Sequence, residues 1–241
     1  MEKVQPMNLA MDKRIVAVVG HFGSGKTEFC INYALERAKL FKKSALIDLD
    51  IANPYFRSRE KRSLLESAGI RVFGSFYQSE ITAELPALTA NARFPLEDKN
   101  YAVTIDVGGD ASGSMILIQF FKYFIEGDYE LLCVINKNRP ETSSIEGALS
   151  HIYRIEKETG LKITGLINNT HLLRETRVDD IIQGYQFCQE LSKELRIPIR
   201  FSCCPVLLYE DLCKKDINEA MKDGILPVAL HMRETWLDKK P

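Results

Sequence analysis

The chain alternates short apolar runs with longer segments in which apolar residues recur at helical spacing. Most of the runs are continuous in Val, Ile and Leu, which is typical of strands buried on both faces of a parallel sheet. We therefore predict an α/β fold of three layers, with a mostly parallel sheet of about seven strands covered by helices on both faces. The predicted strands are residues 15–19, 45–49, 71–73, 103–105, 131–135, 163–167 and 199–202.

No segment rich in Pro, Gly or Ser divides the chain, so residues 1–241 are predicted to form a single domain. Residues 145–155 and 178–195 have the amphipathic pattern of helices that cover a sheet. The least regular region is 74–100, where we expect one short helix at 83–90. The polar residues 1–13 are expected to form a flexible N-terminal segment.

The most specific motif lies between the first predicted strand and the first helical pattern. Residues 20–27 read Gly-His-Phe-Gly-Ser-Gly-Lys-Thr, which fits the phosphate-loop pattern G-x-x-x-x-G-K-[ST]. Such a loop directs backbone N–H groups at phosphate oxygens, and the following helix adds the positive end of its dipole. Lys26 is expected to reach the β- and γ-phosphates and Thr27 to bind Mg²⁺. The nucleotide-binding residues predicted here are Gly20, His21, Phe22, Gly23, Ser24, Gly25, Lys26, Thr27 and Glu28.

Acidic residues follow the second and fourth predicted strands, where ligands of parallel sheets bind. Asp50 is the first choice for orienting water or binding Mg²⁺, and Asp48 is the alternative because both point to the same side. The fourth strand runs into an Asp-x-x-Gly segment. There Asp106 is expected to support Mg²⁺ and the N–H of Gly109 to sense the γ-phosphate. Asp110 is a further catalytic candidate.

Composition narrows the classes of partner. Lys and Arg number 32 against 33 for Asp and Glu, so the net charge of -1 gives no general attraction to nucleic acid or anionic membrane. The six cysteines include no C-x-x-C pair, which favours a reduced, cytoplasmic protein. The adjacent Cys203 and Cys204 are expected to be small core residues. We also expect no secretory signal and no integral membrane span.

These motifs resemble those of the MinD/ParA/CobQ group of P-loop ATPases, to which the nitrogenase iron protein also belongs. Residues 106–110 are similar to that group's second switch, and residues 139–144 are similar to its Pro-Glu-x-x-Ser segment. Residues 165–170 resemble its strand that ends in an adenine-contacting asparagine. The resemblance runs from residue 16 to about residue 205 and implies ATP and Mg²⁺ as cofactors. It adds to the expected nucleotide site Asn168, Asn169 and Pro205.

The sequence departs from that group at two positions. His21 stands where many members carry a second lysine that reaches across a nucleotide-sandwich dimer, and Gly113 stands near the iron protein's cluster-ligating cysteine. Residues 136–139 nearly match the guanine-reading motif N-K-x-D, but Arg139 replaces the aspartate. ATP is therefore favoured over GTP.

The resemblance implies a Mg²⁺-dependent ATPase that acts as a nucleotide-controlled switch on a protein partner, for example in metalloenzyme maturation or cell organisation. An ATP-dependent homodimer is compatible with it, although His21 weakens that expectation. Two alternatives stay open: an ATP-dependent carboxylate-activating synthetase of the dethiobiotin or cobyrinic-acid type, and a nucleotide-binding module that does not hydrolyse. A nucleic-acid partner is disfavoured because no stripe of basic and aromatic residues extends along the chain.

Overall fold

One parallel sheet forms the centre of the molecule. The computed structural model describes residues 13–50, 61–74, 91–125 and 129–232. Within these ranges eight strands pair in the order β3-β2-β4-β1-β5-β6-β7-β8, and every pairing is parallel. The strands are β1 (Ile15–Gly20), β2 (Ser44–Leu49), β3 (Ile70–Phe73), β4 (Ala102–Val107), β5 (Tyr129–Ile135), β6 (Gly165–Asn168), β7 (Ile199–Pro205) and β8 (Ile225–Val228).

Helices connect these strands and cover both faces of the sheet. The α-helices are α1 (Lys26–Ala38), α2 (Arg62–Ser67), the helical residues 91–97 (α3), α4 (Ala111–Ser114), α5 (Phe121–Ile125), α6 (Ile145–Thr159), α7 (Val178–Leu195), α8 (Tyr209–Cys213) and α9 (Glu219–Asp223). Short 3₁₀ helices lie at Met115–Phe120, Pro140–Thr142, Leu173–Glu175 and Val206–Leu208.

The apolar core is divided by the sheet into two main layers. Along β1, Ile15, Ala17 and Val19 belong to one apolar cluster, and Val16 and Val18 belong to the other. Side chains alternate in this way along a strand, so a strand with helices on both sides must be apolar at every position. The predicted three-layer α/β fold is confirmed.

A buried arginine fixes α1 against the sheet. The side chain of Arg37 is almost fully buried, and its guanidinium donates to the carbonyl oxygens of Val103 at 3.0 Å and Lys13 at 2.7 Å. A guanidinium has several donors in a rigid fork, so it can hold two strand ends at once. The helix that follows the phosphate loop is therefore tied to β1 and β4 at its far end.

One strand of the described sheet was not predicted from the sequence. Strand β8 pairs only with β7, and its residue Pro227 lies opposite Cys204. Proline cannot donate to the hydrogen-bond ladder, so strands that contain it are tolerated at sheet edges and are hard to recognise from sequence.

Several earlier expectations concern residues that the structure does not describe. The predicted helix at 83–90 and residues 1–12 of the predicted N-terminal segment lie outside the described ranges. Among the helices that are described, none combines the length and the apolar character of a membrane span. Cys203 and Cys204 lie buried in β7, and burial raises the pKa of the Cys204 thiol to about 12.

Candidate functional site

The phosphate-loop motif forms a tight turn between β1 and α1. Gly20 has φ 142°, and a Cβ at this position would lie 2.5 Å from the carbonyl oxygen of Val134 on β5. Gly25 precedes α1 in the left-handed region, with φ 88°. Only glycine fits the first position and adopts the second without strain. The glycines of the motif thus allow the loop to pass close to β5 and turn directly into α1.

Lys26 is buried beneath this loop. Its Nζ donates to the carbonyl oxygen of His21 at 3.3 Å. Burial lowers the pKa of Lys26, while the carboxylates of Asp106 and Asp50 raise it. A Cβ on Gly109 would lie 2.9 Å from Lys26 Nζ, so the backbone after β4 rests directly on the lysine. The loop after β4 therefore contacts the group that the motif assigns to phosphate binding.

Three buried carboxylates surround this lysine. Asp48 on β2 lies opposite Asp106 on β4, and the carboxylate Oδ1 of Asp48 accepts the backbone N–H of Asp50 at 3.1 Å. Burial, and next the charge of Asp48, raise the pKa of Asp106 to about 8, while Lys26 acts in the opposite direction. Three acidic side chains thus lie close together, and among the described residues Lys26 is the cation that opposes the rise in the pKa of Asp106.

The carboxylate of Asp106 is suited to a metal ion. It is fully buried, and within the described ranges no donor lies in hydrogen-bond geometry with either of its oxygens. The Thr27 hydroxyl is near enough to lower the pKa of Asp106 but lies outside hydrogen-bond geometry. Hard oxygen ligands of this kind are those Mg²⁺ prefers, usually with phosphates and water completing its shell. No three His, Cys, Asp or Glu side chains in the described ranges form a metal cage by themselves.

The loop after β4 is folded tightly back on itself. Asp110 is exposed and caps α4, with Oδ1 accepting the N–H of Gly113 at 2.5 Å. A Cβ on Gly108 would lie 2.9 Å from Gly113 Cα. Asp110, predicted as a catalytic candidate, therefore serves here as a helix cap beside the lysine contact.

A histidine on α6 meets the phosphate loop and was not found from the sequence. The rings of His21 and His151 are 5.4 Å apart in an edge-on arrangement, and His21 Nδ1 lies 3.7 Å from the Glu141 carboxylate. His151 is buried, and its Nε2 has no hydrogen-bond partner in the described part of the chain. Burial, followed by the charge of His21, lowers the pKa of His151 to about 4. The available signal was its position within the apolar stripe of α6, three residues after Ala148.

The adjacent asparagines after β6 have different surroundings. Asn169 donates its amide N–H to the carbonyl oxygen of Ser24 at 2.7 Å, which places it against the phosphate loop. Asn168 instead donates to the carbonyl oxygen of Ile181 at 2.9 Å and to Ser202 Oγ at 3.4 Å. Asn168 therefore joins β6 to α7 and β7, and this placement gives no support to a nucleotide contact.

Glu28, the last residue predicted for the phosphate loop, is turned toward the C-terminal segment. Its carboxylate accepts the backbone N–H groups of His231 and of Met232, the latter at 3.1 Å. Nearby, Asn32 binds both the carbonyl oxygen and the N–H of Ala229 at 2.9 Å each. Residues 229–232 thus run along α1.

No protein-family model matches this sequence, and no curated protein is significantly similar to it. Solved structures do share its fold. The cell division protein FtsY from Thermotoga maritima is 22% identical, with a TM-score of 0.54 over 78% of this chain and 60% of that one. The signal recognition particle 54 kDa protein from Aeropyrum pernix, in complex with GDP, is 20% identical, with a TM-score of 0.54 over 83% of this chain and 43% of that one.

A third similar structure is the signal recognition particle receptor FtsY from Elizabethkingia anophelis in complex with GDP, at 15% identity and a TM-score of 0.50. The match covers 83% of this chain and 58% of the Elizabethkingia protein. The chain thus spans between 43% and 60% of the length of these three proteins. At such identities the likeness shows the fold alone, in which helices cover a parallel sheet.

Proposed function

We propose that this protein is a Mg²⁺-dependent ATPase of the MinD/ParA/CobQ type that acts as a nucleotide-controlled switch on a protein partner. The observation that carries the proposal is the contact between Lys26 and the backbone at Gly109. A γ-phosphate bound by Lys26 must meet that backbone, so its arrival and its loss would move the loop after β4. Turnover would then drive a conformational change.

The residues around Lys26 supply the groups that such a reaction needs. Lys26 would exchange its bond with the His21 carbonyl for the β- and γ-phosphates, and the loop N–H groups would bind the same oxygens. Thr27 and Asp106 would hold Mg²⁺, which neutralises phosphate charge. Asp50 would orient the attacking water and take its proton as the bond between the γ-phosphorus and the bridging oxygen breaks. Asp48 holds the Asp50 backbone, which favours Asp50 for this role.

ATP is the proposed nucleotide, and GTP is the necessary comparison. Two of the similar structures are complexes with GDP, and this is the reason to test a guanine nucleotide beside ATP. Residues 136–139 contain no carboxylate to accept from guanine, and the guanidinium of Arg139 is bound to the Gly23 carbonyl at 2.9 Å. With His21 in place of a second lysine, activation by a protein partner is more in keeping with the site than activation within an ATP-dependent homodimer. A cytoplasmic location is proposed with it, from the unpaired cysteines.

Phosphate release from Mg-ATP and Mg-GTP tests the proposal. We expect Mg²⁺-dependent, ATP-selective turnover that falls by about 100-fold or more in Lys26→Ala, because a preorganised charge on the transferred phosphate is lost. Lys39→Ala, at an exposed position just after the same helix, is the matched control and should keep wild-type turnover.

The other outcomes separate the alternatives. Failure to bind either nucleotide would refute the proposal. Tight nucleotide binding without phosphate release, both with and without candidate partners, would favour a nucleotide-binding module that does not hydrolyse. Turnover that rises steeply with a small carboxylic acid would favour the synthetase. Light scattering with each nucleotide records whether a dimer forms.

A further inference from the structure

The outer side of the phosphate loop is held by two side chains from neighbouring strand ends. Arg139, which follows β5, donates Nε–H to the Gly23 carbonyl at 2.9 Å, and Asn169, which follows β6, donates to the Ser24 carbonyl at 2.7 Å. Two consecutive carbonyl groups are therefore bound from outside. Successive N–H groups that point to one side form an anion-binding concavity, and fixing the carbonyls outward favours that arrangement.

The guanidinium of Arg139 lies flat against Gly23. A Cβ on Gly23 would be 3.1 Å from Arg139 Cζ and 3.2 Å from Nη2, so the close approach depends on the absence of a side chain. The Arg139 backbone is itself fixed, because its N–H binds the Asn136 carbonyl at 3.1 Å and the Thr142 hydroxyl binds the same carbonyl at 2.8 Å. An ordered turn thus holds the positive charge of the Arg139 guanidinium against the phosphate loop.

The acidic side chains at the site give a reason for a further positive charge beside the phosphate loop. Asp48, Asp50 and Asp106 lie around Lys26, and a nucleoside triphosphate brings further negative charge. A guanidinium stays protonated in proteins, whereas an imidazole can lose its proton near neutral pH. Arg139 is therefore a permanent positive charge that is in contact with the phosphate loop.

We propose that Arg139 is a positioning residue for the polyphosphate of a bound nucleotide. Its Nε holds the loop in the phosphate-binding shape, and its charge at the rim of the loop favours nucleoside di- and triphosphates over the nucleoside. This inference rests on the proposed nucleotide binding. It also gives a reason for arginine at the position where the guanine-reading motif N-K-x-D has its aspartate.

Calorimetric titration of Arg139→Gln, Arg139→Lys and Lys137→Gln with Mg-ATP, ADP and adenosine tests the proposal. Removing one charge-assisted hydrogen bond and its charge should weaken Mg-ATP binding about tenfold in Arg139→Gln. Arg139→Lys keeps the charge and a donor, so it should recover affinity to within about threefold. Lys137→Gln removes the same charge two residues away and should bind ATP as the wild type does.

Two further readouts distinguish positioning from general stability. Adenosine affinity and the nucleotide-free melting temperature should be the same in all folded variants, and in turnover assays the KM should rise more than kcat falls. Equal losses in Arg139→Gln and Lys137→Gln, or wild-type ATP affinity in Arg139→Gln, would overturn the proposal. A wild-type protein that binds no nucleotide would instead refute the proposed function.

If Arg139→Gln does not fold, Arg139→Met takes its place, because it removes the same charge and donor and keeps the apolar stem of the side chain. Mg-ATP binding by Arg139→Met should again be about tenfold weaker than by the wild type, with unchanged adenosine affinity. Wild-type Mg-ATP affinity in a folded Arg139→Met protein would overturn the proposal.

Discussion

Two buried polar clusters lie at the carboxyl ends of this sheet, and they differ in how well their polar atoms are paired. At the end of β6, the Asn168 amide donates to Ile181 and Ser202, and its oxygen accepts the N–H of Thr170 at 3.2 Å. At the end of β4, neither carboxyl oxygen of Asp106 has a hydrogen-bond partner among the residues that the structure describes. The two side chains are equally buried, each with 0% exposure.

The difference separates a structural cluster from a binding cluster. An unpaired buried polar group costs roughly 1–3 kcal/mol, so a chain keeps one mainly where a ligand or a reaction uses it. A fully paired cluster contributes to the fold alone and has no such cost. Asp106 was predicted to bind Mg²⁺ and Asn168 to bind nucleotide, and both lie at strand ends. The pairing of their polar atoms is the property that distinguishes the two clusters.

The largest effect is expected where the paired cluster is broken. Asn168→Ala leaves the Ile181 carbonyl and the Thr170 N–H without their partner in a buried place, so the free energy of unfolding should fall by about 2–4 kcal/mol. Urea unfolding measures this change. Asn138→Ala, at an exposed position, should be neutral within about 0.5 kcal/mol. Weaker nucleotide binding by an Asn168→Ala protein of unchanged stability would make Asn168 a ligand residue and erase the distinction.

The unpaired cluster should respond in the opposite direction. Burial raises the pKa of Asp106 to about 8, so at neutral pH folding must protonate a carboxyl group that is ionised in the unfolded chain. Asp106→Asn removes that cost, so the nucleotide-free protein should gain about 1–3 kcal/mol of unfolding free energy. The same change should remove the Mg²⁺ dependence of nucleotide binding, because a carboxylate ligand is lost. Thermal melts with and without Mg-ATP measure both effects. A variant that is less stable and still binds Mg-ATP normally would contradict the interpretation of Asp106.

A smaller, pH-dependent effect is expected at His151. Its pKa is near 6.5 in the unfolded chain and about 4 in the folded protein, so the unfolded chain binds a proton that the folded protein rejects. Stability should therefore fall as the pH drops from about 6.5 toward 4, by an amount on the order of 2 kcal/mol. The groups that act on this ring are His21, Arg154 and Lys26, which lower its pKa, and Asp110, which raises it.

In His151→Gln this part of the acid destabilisation should disappear, which unfolding curves at pH 7, 5.5 and 4.5 would show. His231→Gln, in the C-terminal segment, is the control for loss of a histidine as such. An acid dependence that is identical in the His151 variant and the wild type would mean that the ring is protonated in the fold.

Periodicity and local motifs predicted the part of the fold that depends on neighbouring residues. Residues 20–27 form the loop between β1 and α1 that the spacing of Gly20 and Lys26 indicated, because this geometry is set by adjacent glycines. Seven strands were predicted correctly because short continuous runs of Val, Ile and Leu are typical of buried strands. The eighth strand was missed because Pro227 argues against a strand.

Partners that are distant in sequence could not be predicted. Asn168 and Asn169 are neighbours of one residue type, yet one bonds to α7 and β7 and the other to the phosphate loop. Their roles follow from which face of β6 each occupies, and a one-residue difference reverses that face. Arg139 likewise reaches Gly23 across 116 positions of sequence. No local pattern encodes such contacts.

The segment that runs along α1 has a consequence for how the protein is made. Ala229 pairs with Asn32 across 197 positions, and His231 pairs with Glu28 across 203. Translation proceeds from the amino end, at about 5–20 residues per second, so α1 leaves the ribosome at least ten seconds or so before these partners exist. The nascent phosphate-loop helix must therefore keep Glu28 and Asn32 solvated during synthesis, and its final docking is among the last steps after residues 229–232 have emerged.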